Sequence, residues 1–168
     1  TLRPNGNTEA VRIASDGKVG IGTTSNFNGT LNVFNGTDFS TASATSVDNI
    51  YLISDATSGD GVYGASISFS RVQYPDRRAA AIASVQKGSD EDNVGLAFFT
   101  HPSTDASDPI VEAMRINPDG NVGVGNTPQL TNSSQTSLQV GGTANITTGA
   151  AASASQEMDI RTNSYYAA

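Results

Sequence analysis

Apolar and polar residues alternate with a period of two in short bursts along the chain, and Gly, Asp, Asn, Ser and Pro separate the bursts. Such a pattern predicts short strands joined by turns. The clearest bursts are Val11-Arg12-Ile13 and Val19-Gly20-Ile21, which flank Ser15-Asp16-Gly17, and Met114-Arg115-Ile116 and Val122-Gly123-Val124, which flank Pro118-Asp119-Gly120. Asp-Gly between alternating runs predicts a tight β-hairpin, because glycine supplies the positive φ that the reversal demands. Pro118 is locked near the φ of the second position of a type I turn. Pro118-Asp119-Gly120 therefore reads as a three-residue loop with Gly120 in the left-handed bulge position, and Ser15-Asp16-Gly17 should copy it. In that register Ile13 lies opposite Val19 and Val11 opposite Ile21 on one face, while Arg12, Gly20 and Gly22 fall on the other. Ile116 with Val122 and Met114 with Val124 take the same places.

The two hairpins are copies. Glu9, Ala10, Arg12, Ile13, Asp16, Gly17, Val19, Gly20, Gly22 and Thr24 recur at a constant offset as Glu112, Ala113, Arg115, Ile116, Asp119, Gly120, Val122, Gly123, Gly125 and Thr127. Each copy is followed by a loop and a further strand, Thr30-Leu31-Asn32-Val33 or Ser137-Leu138-Gln139-Val140. The repeating unit is hairpin, loop, strand. A lone two-stranded hairpin is marginal in water, so four apolar side chains on one face need a partner surface. The economical partner is the same hairpin from neighbouring chains, with Val11, Ile13, Val19, Ile21, Met114, Ile116, Val122 and Val124 as contacts. The plainer alternative packs each hairpin on an adjacent domain of its own chain. Gly20 and Gly22 would let another backbone approach the opposite face.

Between the copies, strand-like runs recur at Ile50–Ile53, Ser66–Phe69, Ala81–Val85 and Val94–Phe98, with turn residues between them. This spacing predicts an antiparallel sandwich with Leu52, Ile67, Phe69, Ile82, Leu96, Phe98 and Ile110 in its core. Val111 to Ile116 then runs into the second hairpin. The expected organisation is a hairpin module over residues 1–36, a β-sandwich knob over 37–113, a second hairpin module over 114–149 and a connector or tail over 150–168. The fold class is all-β. Because the first strand resembles the end of a module and the chain opens on Thr1, more chain is expected upstream.

Composition narrows the partners. Of 168 residues, 36% are hydrophobic, and Lys and Glu, the usual fillers of exposed helix, are scarce. The formal charge is −7, with no basic run longer than Arg77-Arg78. Nucleic acid and anionic lipid both require a positive field, so neither is an expected partner. The absence of cysteine excludes disulfides and thiolate zinc sites. No apolar stretch reaches membrane-spanning length.

The stretches "VRIASDGKVGIGTT" and "MRINPDGNVGVG" resemble the recurrent hairpin of bacteriophage tail fibres and related virion appendages, often followed by a self-cleaving intramolecular chaperone. "RRAAAIASVQKGSDEDNVGLAFFTHPSTDASDPIVEAMRI" is similar to the knob module that precedes that hairpin. Together these cover most of residues 8–140. The resemblance implies an elongated parallel homotrimer with knobs along a shaft, located on the virion and engaged with other fibre proteins and with a host surface. A C-terminal chaperone is not recognisable after Val140.

Other chemistry is weakly supported. Gly59-Asp60-Gly61-Val62-Tyr63-Gly64 matches a dinucleotide-loop string, but a strand-like run follows it where a helix is needed, so it reads as a turn. "VGIGTTS" lacks the lysine of a phosphate loop. His101, with Asp105 or Asp108, lacks a nucleophile-elbow sequence and reads as a loop residue. Asp90-Glu91-Asp92-Asn93 lacks the spacing of a calcium loop and reads as a solvated turn. No cofactor, no metal and no catalytic residue are expected. Arg12 and Arg115 are expected to fork onto a carboxylate or carbonyls across a subunit contact, with Glu9 and Glu112 as candidate partners. Tyr63, Tyr74 and Arg77 form a candidate glycan contact, with Tyr51 and Arg78 as further members. The expected function is a non-enzymatic segment of a trimeric fibre for host attachment. The rivals are a bacterial extracellular filament or adhesin stalk on the cell surface, a carbohydrate-binding module, and a fragment of a polysaccharide depolymerase.

Overall fold

In the computed structural model, residues 10–23, 28–42, 47–105, 107–128, 136–142, 144–148 and 158–161 are described. The strands are β1 (Val11–Ile13), β2 (Val19–Ile21), β3 (Leu31–Val33), β4 (Tyr63–Phe69), β5 (Ala80–Gln86), β6 (Val94–Thr100), β7 (Val111–Ile116), β8 (Val122–Val124), β9 (Thr136–Val140), β10 (Ala144–Thr148) and β11 (Met158–Arg161). There is no helix among the described residues. The chain divides into two units, Thr1–Leu52 and Ile53–Ala168. The first holds a three-stranded sheet in the order β1-β2-β3. The second holds an eight-stranded sheet in the order β11-β10-β9-β8-β7-β6-β5-β4.

Both hairpins form in the expected register. Val11 pairs with Ile21 and Ile13 with Val19; Met114 pairs with Val124 and Ile116 with Val122. In the second turn the Asn117 amide donates to the Asn121 carbonyl at 2.8 Å and the Gly120 amide to the Asn117 carbonyl at 2.9 Å, closing a three-residue loop. The first turn repeats this with Ala14 to Lys18 at 2.8 Å and Gly17 to Ala14 at 3.0 Å. Gly17 and Gly120 have φ of 82° and 83°, the left-handed conformation that excludes most side chains.

The third strand of each module runs parallel to the second. Val19 is level with Leu31 and Ile21 with Val33, and Val122 is level with Leu138 and Val124 with Val140. The duplication therefore extends to hydrogen bonds. Gly22 donates to the Ala10 carbonyl and Gly125 to the Ala113 carbonyl, while Phe34 donates to Ile21 and Gly141 to Val124.

Three features differ from the sequence reading. Ile50–Ile53, expected as a strand, has no regular pairing and leaves all four side chains exposed; an apolar run without a neighbouring strand has nothing to satisfy its backbone in a sheet. The strands of the expected knob are consecutive neighbours in a single sheet that continues through the second hairpin, and the expected limit at 113–114 falls inside β7. The chain also continues past Val140 through Gly141-Gly142 into β10, and β11 pairs with it inside the segment expected to be a connector.

The buried apolar residues of the described chain are small: Ala81, Ala83, Val85 and Ala97. They alternate with the larger Ile82, Leu96 and Phe98, which point to the other face. Of the core expected from sequence, Leu52, Ile67, Phe69 and Leu96 are exposed, and Ile82, Phe98 and Ile110 are half-buried. Close packing on the small-residue face is enforced by glycine. A Cβ on Gly95 would run into the Ile116 carbonyl, and one on Gly123 would meet the Asn126 carbonyl and Pro128 Cδ. The backbone that approaches Gly123 is thus the chain's own following loop, which Asn117 holds by donating from Nδ2 to the Pro128 carbonyl at 3.0 Å.

Two substitutions separate turn strain from crowding. Gly120→Ala has room for its methyl, with Thr136 Cγ2 at 3.4 Å, and should cost only the left-handed penalty of about 1–2 kcal/mol. Gly123→Ala should cost about 3 kcal/mol, the upper range for an overpacked site. Urea unfolding checks both; an equal loss at the two positions would contradict the close approach of residues 126–128.

Candidate assembly surface

The sheet registers gather the large apolar residues into rows that run across the strands. In the second unit one row passes through Ile67, Ile82, Phe98, Met114, Val124 and Val140. The next passes through Leu96, Ile116, Val122, Leu138 and Ile146. The first unit carries shorter versions, Val11-Ile21-Val33 and Ile13-Val19-Leu31. All eight residues expected as trimer contacts lie in these rows, four in each unit.

Rows of this kind normally lie against a second layer. Here much of their surface faces solvent: Ile13 is 68% exposed, Leu31 58%, Ile67 50% and Leu96 45%. Ile21, Val124, Leu138 and Val140 are exposed as well, while Met114, Ile116 and Val122 are half-buried among their neighbours. The contribution of β4, β5 and β6 to this face was missed from sequence because their large residues were assigned to an internal core. The available signal was the composition of the alternate positions: Ala81, Ala83, Gly95 and Ala97 are small enough to be covered by loops, which leaves the large set for another partner.

The opposite face carries the polar anchor of the sheet. A bulge in β7 interrupts the pairing with β6, so that Phe98 is level with Met114 but Phe99 with Glu112. The extra residue, Ala113, moves Glu112 onto the face of Arg115. Arg115 then donates from Nε to Glu112 Oε1 at 2.8 Å and from Nη2 to Oε2 at 2.6 Å. The Tyr63 hydroxyl donates to Oε2 at 2.7 Å, and the Tyr63 ring packs edge-on against Phe99 with centroids 4.9 Å apart. The Arg115 guanidinium lies 5.9 Å from the centroid of the same ring. Glu112 is thus the partner expected for Arg115, but the fork closes within one chain instead of across a subunit contact, because the bulge brings the two together at a spacing of three. Glu9 lies outside the described residues, and Arg12 also has an interaction partner.

The charges of the cluster respond to one another. Burial alone would raise the Glu112 carboxyl, but hydrogen bonds from Arg115 and Tyr63, with the guanidinium charge, outweigh it and hold the group below its ordinary value. Arg115 is raised, chiefly by its hydrogen bond to Glu112. The Tyr63 phenol is pushed up by burial first and then by Glu112.

The remaining motifs resolve into local structure. Gly59 to Gly64 turns into β4: the Gly59 amide donates to Gln86 Oε1 at 2.9 Å, the Gly61 amide to the Gln86 carbonyl at 2.9 Å, and a strand follows. Asp90 accepts from the amides of Asp92 and Asn93 in an exposed turn. Ser103 gives its hydroxyl proton to the Asp108 carboxylate at 2.6 Å, and His101 Nε2 meets the Asp108 backbone carbonyl at 3.0 Å, so serine and imidazole both bond Asp108 and not each other. Of the turn carboxylates, Asp16 pairs with Lys18 at 2.9 Å, whereas Asp119 pairs with Lys87 at the end of β5. Tyr63 and Arg77 line a cleft of 560 Å³ floored by Ala81 and Ala83, and Tyr74 and Arg77 line a neighbouring one of 390 Å³. Tyr51, in contrast, belongs to the other unit.

No protein-family model matches the chain, and no curated protein matches it as a relative.

Glu112→Gln should lower stability near neutral pH by about 1–2 kcal/mol, the scale of a charge-assisted bond that remains partly open to water. The folded carboxyl lies below its ordinary value of 4.5. Its contribution is therefore complete above that value and disappears as the pH falls through the lower, folded one. Unfolding at neutral pH and at about pH 3 should show the difference between parent and variant shrinking in acid; a difference that stays constant would count against the assignment.

Proposed function

We propose that the chain is a non-enzymatic structural segment of a parallel homotrimeric fibre, of the kind that projects from a bacteriophage particle toward a host surface. The observation that carries the assembly is the pair of apolar rows, present in both units and made of side chains that are exposed or only half-buried in the single chain. Fully burying an exposed large apolar side chain contributes about 1.5–3 kcal/mol; each of these partly covered positions gains a fraction of that, and the fractions add over rows of five and six. Copies of the same chain are suited to the role because apolar side chains recur at the same level in each unit, so that each unit presents to another copy a face that the copy also carries. In this reading the neighbouring chains supply the second layer that a β-sandwich would otherwise supply from within. The virion setting rests on the resemblance of the two hairpins and of residues 77–116 to phage fibre modules.

Light scattering over a dilution series, with sedimentation velocity, tests the proposal. The parent should run at three times its chain mass of 17.3 kDa. Leu96→Asp with Leu138→Asp places charge on two exposed row positions and should give monomers whose strand content by circular dichroism is unchanged. A monomeric parent, or a double variant that remains trimeric, would overturn the assembly.

A further inference from the structure

Three of the nine cationic side chains of this acidic protein converge on one cleft. Arg71, Arg77 and Arg78 line the 390 Å³ cleft together with Tyr74, His101 and Ser103, and no carboxylate lines it. Arg71 and Arg78 make no ion pair among the described residues, while Arg77 has Asp76 at 3.9 Å, feels the charge of Asp105, and places its guanidinium 5.6 Å from the centroid of the Tyr74 ring. Two of the three guanidiniums thus lack a carboxylate partner among the described residues, and collecting like charges with only partial neutralisation is unfavourable in a way that a bound anion relieves.

Both walls are organised in advance. In the β4–β5 loop the Tyr74 amide donates to the Arg71 carbonyl at 3.0 Å, the Arg77 amide to the Tyr74 carbonyl at 3.2 Å, and Ser70 Oγ lies 2.6 Å from the Arg77 carbonyl. In the β6–β7 loop the nearby carboxylates are already engaged: Asp108 accepts from Ser103, and Asp105 accepts from the amide and hydroxyl of Ser107 at 2.9 and 2.7 Å. The cationic cleft shares Arg77 and Arg78 with the 560 Å³ cleft, whose lining mixes Tyr63 and Phe99 with Asp76 and Asp108. One end of the combined groove is thus cationic and lined by no carboxylate, and the other is lined by aromatic rings beside Asp76 and Asp108. Both volumes lie in the range of small-molecule sites.

We infer that this groove binds an acidic saccharide, with a sugar carboxylate or sulfate held by Arg71, Arg77 and Arg78 and an adjoining sugar ring lying toward Tyr63. Guanidinium groups match the planar, forked geometry of carboxylate oxygens, and aromatic rings offer an apolar face to the C–H side of a sugar. A nucleic acid is the less suitable polyanion, since it needs an extended positive surface and the chain carries a net −7. The groove is floored by Ala81 and Ala83, on the face opposite the apolar rows, so covering those rows leaves it open. The inference deepens the attachment reading and rests on it for placing the ligand on a cell surface.

The test uses the full chain in its native assembly state and calorimetric titration with hexasaccharides of galacturonic acid, hyaluronan, polysialic acid and heparin. The carboxyl-reduced galacturonic hexasaccharide, inorganic phosphate and an oligothymidylate serve as comparison probes. At least one acidic saccharide should bind, and Arg71→Ala with Arg78→Ala should weaken it at least about tenfold without changing mass or melting temperature. If an oligouronate is the ligand, its reduced form should not bind. Failure of all four saccharides, binding that survives the double variant, equal affinity for phosphate alone, or tighter binding of the oligothymidylate would each overturn the inference. Mass measured on the same sample separates the two readings. A trimer that binds none of the saccharides removes the site and leaves the fibre, whereas a monomer that binds one removes the fibre and leaves the site.

Discussion

The structure depends on a division of side-chain size between the two faces of its strands. Small residues such as Ala81, Ala83, Gly95, Ala97 and Gly123 occupy one face, and large aliphatic residues the other. Small residues let loops of the same chain come down to the backbone, so that Asn117 can hold Pro128, while Ala81 and Ala83 share the lining of a cleft with the 107–110 segment. The same choice prevents that face from burying much apolar area, because an alanine removes far less surface from water than a leucine. The chain's own covering is thus placed where the hydrophobic return is smallest. The greater return lies in the rows of Ile, Leu, Val, Met and Phe, and the protein of one chain leaves much of it in water.

Polar contacts on the covered face compensate in position more than in energy. Asn121, 1% exposed, accepts from both the Ser137 amide and hydroxyl at 2.8 and 3.0 Å, tying the second turn to β9. Gln86 is held at both ends, by Gly59 on its oxygen and by Ser58 and Gly88 on its nitrogen. The Tyr63–Glu112–Arg115 cluster links β4 to β7 across the two strands between them. Each of these contacts fixes which residue lies level with which, and a slip of one residue would move every large side chain to the other face. They set the register that makes the apolar rows continuous.

Much of this was legible because turns and alternation are local. Asp-Gly, Pro118 and period two were enough to place both hairpins with the correct partners, and the strands around Ile67, Ile82, Leu96 and Met114 followed from the same rule. The contents of the core were not legible. Alternation states that Ile82 and Ala83 face opposite ways but not which face is covered, and the usual assumption that the larger set lies inside placed Leu96 and Phe69 in a core they do not occupy. The bulge at Ala113 was also hidden, since Val111 to Ile116 alternates without a break in the sequence and only the pairing with Phe98 and Phe99 reveals the extra residue. Ile50–Ile53 shows the converse: an apolar run has strand character, but only an adjacent strand makes it one.

The two copies of the hairpin module indicate how repetition and specialisation divide. Backbone-determined features are common to both: turn geometry, strand register, the parallel third strand and the level of each apolar residue. Side chains at the turn are not, since Lys18 pairs back to Asp16 within its own turn, while Asp119 reaches Lys87 and Asn121 reaches Ser137. The second copy therefore spends its turn residues on neighbouring strands, whereas the first satisfies its turn locally. Because the apolar rows stay in register whichever set of turn contacts is used, the repeated element is the presentation of those rows, and the surrounding polar contacts adapt it to its neighbours. The level of each apolar residue is thus kept between two sheets whose polar contacts differ, because backbone pairing alone sets it.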